Sequence, residues 1–127
     1  MLTKAYVYDQ HEMHQDWLSR LAFYKEEINI FRERLGEIII RNTNDEVKKT
    51  IEVFENKLIM QRNYIDEIRQ SIRLHESKIV EEIKKNTVAV NHRLSENYDG
   101  EEDIMGYLEK NFAELREAIN RFAAKWM

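Results

Sequence analysis

The residues of this chain best suited to chemistry are histidines. His11 and His14 are three positions apart, so on a helix their imidazoles can share one face. An antiparallel pairing of the first two predicted helices places His75 opposite His11. Imidazoles with a neighbouring carboxylate bind zinc and other divalent transition metals. The sequence therefore offers one candidate metal site, formed by His11, His14 and His75 with Glu12 or Glu76.

A second interpretation makes the same histidines structural. His14 and His75 fall on the apolar seams of their predicted helices, where single polar side chains set register and partner choice, and His11 is then exposed. The run His11-Glu12-Met13-His14 is one residue shorter than the H-E-x-x-H spacing of zinc proteases, so their general base is missing. We therefore expect no cofactor, and the metal site is the alternative to this expectation.

Other catalytic constellations are absent from the sequence. Without cysteine there is no thiol nucleophile, disulfide or iron–sulfur ligation. The serines lie within predicted helices rather than at the sharp turn of a nucleophile elbow, and the three glycines form no phosphate-binding loop. No histidine follows a glutamate by three positions, which argues against a di-iron carboxylate bundle. These absences predict a protein that is not an enzyme.

Composition predicts long helices rather than a turn-rich fold. The chain has 127 residues, no proline and three glycines, with 35% charged and 43% hydrophobic residues. Sandwiches and barrels need regular glycine and proline punctuation. The net charge of −4 lacks the basic excess that nucleic acid or an anionic membrane attracts, and no apolar run reaches the roughly 20 residues of a membrane span. We expect a single cytoplasmic domain over 1–127 that binds neither nucleic acid nor membrane.

Apolar residues recur at alternating steps of three and four, the spacing typical of coiled-coil helices. The pattern predicts helices over about 9–42, 44–97 and 102–126, with a capping box at Thr43 before the second helix. The second turn is predicted just before the third helix, at the Asn-Tyr-Asp-Gly run. Branched residues and asparagines after Asn86 favour helix weakly, so a break near 86 is the main alternative to a continuous second helix.

These lengths predict an all-α, antiparallel three-helix, coiled-coil-like bundle with a long central helix. Helices one and three would cover different parts of helix two and meet near His75, where the two tryptophans would also converge. Most of the molecule would be two helices thick and would bury little apolar area, so we expect a homodimer to complete the bundle. If helix two instead breaks near Asn86, we expect a compact monomer that buries internally the apolar residues lying away from the seams.

Apolar residues away from the seams indicate a surface that binds another helix. They would dock a second copy or another helical protein, with charged flanks setting the orientation. The favoured function is therefore a non-enzymatic interaction or assembly module, and a small-ligand or metal-binding bundle is the alternative. The residues assigned to this partner-binding surface are Phe23, Ile30, Met60, Tyr64 and Leu74.

Overall fold

The chain folds into α-helices that pack side by side. In the computed structural model, the described backbone covers residues 4–83 and 87–127, and the described side chains cover residues 9–81 and 100–127. Each helix packs against the other two, and these ranges contain no strand. The predicted all-α, three-helix bundle is confirmed. The helices are α1 (Lys4–Arg41), α2 (Asp45–Ile83) and α3 (Thr87–Trp126).

A short polar junction reverses the chain between α1 and α2. Near the end of α1, Asn42 donates its side-chain amide to the Ile38 carbonyl at 2.8 Å. Asn44 begins the second helix, because its side-chain oxygen accepts the Glu46 amide N–H at 2.8 Å, as an N-cap residue does. The cap is therefore Asn44, one residue beyond the Thr43 that the capping-box spacing indicated.

The boundary between the second and third helices differs from the prediction. Because α2 ends at Ile83, the continuous helix over 44–97 is wrong. The chain passes from α2 to α3 across 84–86, where the alternative break was placed and which lies outside the described residues. α3 then begins at Thr87 and continues through the predicted turn at 97–100.

The predicted turn at 97–100 does not form, because α3 is helical through these residues. Gly100 stays helical, and no described glycine has a positive φ. A helical glycine costs about 1 kcal/mol relative to alanine. Met105 and Leu108, on the next two turns of the helix, are almost fully buried, and burying such side chains contributes about 1.5–3 kcal/mol each. The free energy gained by burying these two side chains exceeds the cost of one helical glycine.

The three helices are nearly equal in length, at 38, 39 and 40 residues. The predicted long central helix is therefore wrong, and so is the expected section only two helices thick. That section was the reason for expecting a dimer to complete the bundle. Self-association stays a prediction, and the exposed apolar residues are the remaining observation that supports it.

Ion pairs between α1 and α2 show that these helices run in opposite directions. The Lys25 ammonium lies 2.8 Å from the Asp66 carboxylate, and farther along α1 Arg32 lies 3.1 Å from Glu55. The residue numbers rise along α1 while they fall along α2. The helices therefore form an antiparallel pair, with the ends of α1 and α2 at the polar junction close together.

In the contacts between α1 and α3, the residue numbers of the two partners rise together. Tyr24 donates its hydroxyl to Glu109 at 2.6 Å, and the side-chain amide of Asn42 donates to the Trp126 carbonyl at 3.4 Å. Trp126 thus lies beside the end of α1. The ring of Trp17 lies instead 5.5 Å from the ring of His14, near the beginning of α1. The predicted convergence of the two tryptophans near His75 is wrong.

One apolar core runs between the three helices, as the three-and-four periodicity of each requires. None of the helices, over their described residues, has the length and apolar character needed to cross a membrane. The largest fully buried apolar side chains of the core are Phe112, Leu21, Ile28, Leu35, Ile38, Leu58, Ile65, Ile72, Met105, Leu108 and Ile119.

Candidate metal centre

All three helices send an ionisable side chain to one end of the core. His14 belongs to α1, the adjacent His75 and Glu76 to α2, and Glu101 to α3. His14 and His75 stand at seam positions that are otherwise apolar, so the helical periodicity directs them inward. His14 is fully buried, and the side chains of Glu76 and Glu101 are each only 11% exposed.

Two carboxylates link three imidazoles into one chain of hydrogen bonds. Glu76 accepts hydrogen bonds from Nδ1 of His14 and from Nδ1 of His11, the latter at 2.5 Å. Glu101 accepts hydrogen bonds from Nε2 of His14 and from Nδ1 of His75, the latter at 2.6 Å. His14 is therefore the central member, with a carboxylate on each of its ring nitrogens.

This arrangement sets the protonation of the metal-free cluster. A carboxylate can only accept, so both nitrogens of His14 carry protons and the ring is an imidazolium. Burial by itself lowers the pKa of His14, but hydrogen bonds and charges from Glu101 and Glu76 outweigh burial and raise that pKa to about 9. Burial raises the pKa of both carboxyls, yet their contacts with the histidines outweigh it and leave both values below the ordinary one.

Aromatic rings pack around the central imidazole. The ring centroids of His14 and His75 are 5.0 Å apart in an edge-to-face arrangement. Trp17, which is 2% exposed, covers another side of the His14 ring at 5.5 Å. Charges in such a water-poor environment interact more strongly than they would at the surface.

The cluster also contains the donor atoms of a metal site. His14, His75 and Glu101 each offer one ligand atom, and these atoms lie within 4.8 Å of one another. For His14 the nitrogen on this side is Nε2, because Nδ1 is engaged by Glu76. Donors of one tetrahedral zinc ion lie roughly 3.3 Å apart, given zinc–ligand bonds of about 2.0–2.2 Å. Small side-chain movements would therefore bring all three onto one ion.

His75 has one further property that bears on metal binding. Its Nε2 atom is buried and has no hydrogen-bond partner among the described residues. A buried polar atom without a partner costs free energy and calls for an explanation. Rotation of this ring toward a metal ion would satisfy a nitrogen that the protein leaves without a partner.

The structure brings most of the predicted metal cluster together. His14 and His75 are neighbours, and Glu76 lies between His14 and His11. His11 is 49% exposed, and its contact with the buried cluster among the described residues is with Glu76. Glu12 and Glu76 were the two alternative carboxylates for this cluster. Glu12 is exposed, and Glu76 is the one that contacts the histidines.

Sequence reasoning missed Glu101. The predicted turn placed this residue outside the third helix, whereas α3 carries it into the core. One signal was present in the sequence: Glu101 stands four residues before Met105 and seven before Leu108, both buried. It therefore extends the seam of α3 by one four-residue step toward the histidines.

The residues predicted to bind a partner are mostly on the surface. Phe23 is 61% exposed and Ile30 50%, while Met60 and Leu74 on α2 are 70% and 56% exposed. Tyr64 is partly buried against the core. Their role in binding another protein stays a prediction.

No protein family, no curated protein and no solved structure matches this chain. The geometry of the site is therefore the basis on which a function is assigned.

Proposed function

We propose that this protein binds one divalent transition-metal ion, with zinc as the reference ion, between its three helices. The ligands would be Nε2 of His14, a ring nitrogen of His75 and the carboxylate of Glu101. One observation carries the proposal: donor atoms from three helices lie within 4.8 Å of one another in a largely buried cluster. Two imidazoles and one carboxylate are a ligand set that zinc uses in proteins. The proposed activity is binding and not catalysis.

The position of Glu76 supports His14 as a ligand. Its carboxylate accepts the hydrogen bond from Nδ1 of His14, while Nε2 faces Glu101. A metal-ligating histidine commonly donates its other N–H to a carboxylate, which fixes the ring orientation and raises the basicity of the ligating nitrogen. On binding, Nε2 would release its proton and coordinate the ion.

Metal titration distinguishes this proposal from a purely structural hydrogen-bond network. Protein without a histidine tag, stripped with a chelator and titrated with Zn²⁺ by calorimetry, should bind one ion per chain. Glu101→Gln should weaken zinc binding at least about 100-fold, because a neutral amide replaces a charged ligand. Glu114→Gln changes an exposed glutamate on the same helix and should leave zinc affinity unchanged.

Two outcomes would overturn the metal proposal. One is a zinc stoichiometry near zero in wild-type protein that circular dichroism shows to be helical. The other is equal zinc affinity in the folded Glu101→Gln and Glu114→Gln variants. Either result would leave the cluster as an internal ion-pair network that fixes the register of the helices.

A second candidate function is self-association through α1. We propose that Phe23 and Ile30 contact a second copy of the chain by helix-face packing. The two side chains are one heptad apart and are 61% and 50% exposed, so they form one apolar strip on the helix. This exposure is the observation that supports a dimer.

Sedimentation velocity at micromolar concentration tests the second candidate. Wild-type protein should sediment as a dimer, and the double variant Phe23→Glu/Ile30→Glu as a monomer of unchanged helicity. Ile40→Glu is the matched control, because Ile40 lies on the same helix and is 83% exposed. A wild-type monomer, or a dimer that survives the double substitution, would rule out this surface.

A further inference from the structure

A groove between α2 and α3 opens onto the proposed metal ligands. It encloses about 410 Å³, and His75 and Glu101 form part of its wall. The third proposed ligand, His14, is fully buried in the core. An ion held by these three side chains would therefore lie between the buried His14 and the groove.

Three protein donors leave a tetrahedral ion one ligand short, and water or an external ligand takes the fourth position. Among the described residues, Glu76 is the other carboxylate of the cluster. One of its oxygens is engaged by His14 and the other by His11, so it is committed to orienting histidines. With Glu76 committed in this way, a molecule that enters through the groove can take the fourth position.

The remaining groove residues indicate the chemistry of that molecule. Among the described residues, Lys78 contributes a positive charge and Ser71 a hydroxyl group. Leu74 and Ile104 line the same groove and are 56% and 41% exposed, so they offer apolar surface that a ligand can cover. A divalent ion with Glu101 as its one charged ligand keeps a single net positive charge, which favours a monoanion.

We infer that the site takes a small aliphatic monocarboxylate as its external ligand. The carboxylate would coordinate the ion beside Lys78, and the hydrocarbon chain would lie on Leu74 and Ile104. This inference rests on the proposed metal function and adds to it the class of the molecule bound.

Cobalt-substituted protein provides the test, because the visible absorption of Co²⁺ reports its coordination. Addition of butyrate to the cobalt protein should change this absorption with saturation. Acetate should bind up to about 15-fold more weakly, since it lacks two methylene groups that would cover apolar surface. Butylamine has a similar hydrocarbon chain without the carboxylate and should produce no change.

Single substitutions test which residue contacts the hydrocarbon chain of the ligand and which one contacts its carboxylate. Leu74→Ala should reduce the preference for butyrate over acetate toward one, whereas Val80→Ala should not. Val80 is the matched control, because it is an exposed apolar residue of α2 that lines a different groove, beside Glu76. Lys78→Gln should weaken acetate and butyrate by the same factor of a few-fold, since it removes only the charge.

The outcomes separate this inference from the proposed function. If Co²⁺ binds and its absorption responds to neither carboxylate, the metal function stands and the external ligand is wrong. A response equal in strength for acetate and butyrate, and unchanged in Leu74→Ala, overturns the aliphatic assignment. Failure of Co²⁺ to bind to the folded protein overturns both.

Discussion

The imidazole of His14 contacts the carboxylate of Glu101 in the core, although 87 positions separate the two residues in the chain. The contact joins the beginning of α1 to α3 and makes the histidine cluster a property of three helices. Breaking a buried ion pair by removing one partner costs about 3–5 kcal/mol, because the other charge is left uncompensated. The pair therefore constrains how α3 can pack, whether or not a metal is bound.

Replacing the carboxylate that orients His14 should weaken metal binding without abolishing it. Glu76→Gln keeps the shape of the side chain but removes the charge that fixes the His14 ring. We expect zinc affinity to fall about 10–100-fold, as for other carboxylates that orient a ligating histidine. Calorimetry should still give one ion per chain. Glu67→Gln, on the exposed face of α2, serves as the control, and equal zinc affinity in both variants would exclude the orienting role.

Zinc should raise the thermal stability of the protein. A ligand that binds only the folded state at 100 times its dissociation constant adds about 2.7 kcal/mol, which for a chain of this size corresponds to a rise in Tm on the order of 10 °C. Differential scanning calorimetry with and without Zn²⁺ measures the shift. It should disappear in Glu101→Gln and persist in Glu114→Gln. A shift of equal size in both variants would place the bound zinc elsewhere.

The metal-free cluster should make stability depend on pH in a defined direction. The pKa of His14 rises from 6.5 to about 9 in the folded state. Its contribution is therefore complete below pH 6.5 and is lost as the pH rises through 9. The lowered pKa values of Glu76 and Glu101 act oppositely, because their contribution is present above the ordinary value of 4.5 and is lost on acidification. The cluster should stabilise the fold most between about pH 4.5 and 6.5.

Urea unfolding at pH 6 and pH 10, in the presence of a chelator, measures this pH dependence. The wild-type protein should lose free energy of unfolding between the two values. In His14→Gln the decline should be smaller, because the titrating group is gone. The same decline in both proteins would mean that other groups produce it.

Arg116 should contribute to the packing of α3 on α1 away from the metal site. Its guanidinium donates two hydrogen bonds of 2.7 Å to the Glu27 carboxylate and lies 5.0 Å from the centre of the Phe112 ring. We expect Arg116→Ala to lower the free energy of unfolding by about 1 kcal/mol. Arg121→Ala is the control, since its side chain is 74% exposed, and its effect should stay below about 0.5 kcal/mol. Equal losses would contradict the role of the Glu27 pair.

Much of the fold could be predicted because the signals are local. The steps of three and four along α1 place Leu21 and Ile28 on one face, and they depend only on the geometry of a helix. The start of α2 could also be predicted to within one residue, because a single polar side chain caps it. That residue is Asn44 rather than the predicted Thr43. The predicted pairing of α1 with α2 also gives Glu76 as one of two carboxylates, with Glu12 as the other, that could join the histidines.

The boundary of α3 could not be predicted in the same way. The run ending at Gly100 favours a turn locally, yet α3 is helical through it. The observed boundary makes the structure differ from the prediction in two respects. The second helix is no longer than its neighbours, and Glu101 lies within α3 with its side chain largely buried.

By itself, the sequence determined that the chain forms long amphipathic helices and that His14 and His75 interrupt their apolar seams, because both follow from residue spacing. Only the tertiary structure decided that the helices are nearly equal in length and that Glu101 completes the cluster. The physical reason is that helix periodicity acts within one element. The choice between a turn and a continuing helix depends instead on the free energy of burying residues against partners far away in the chain.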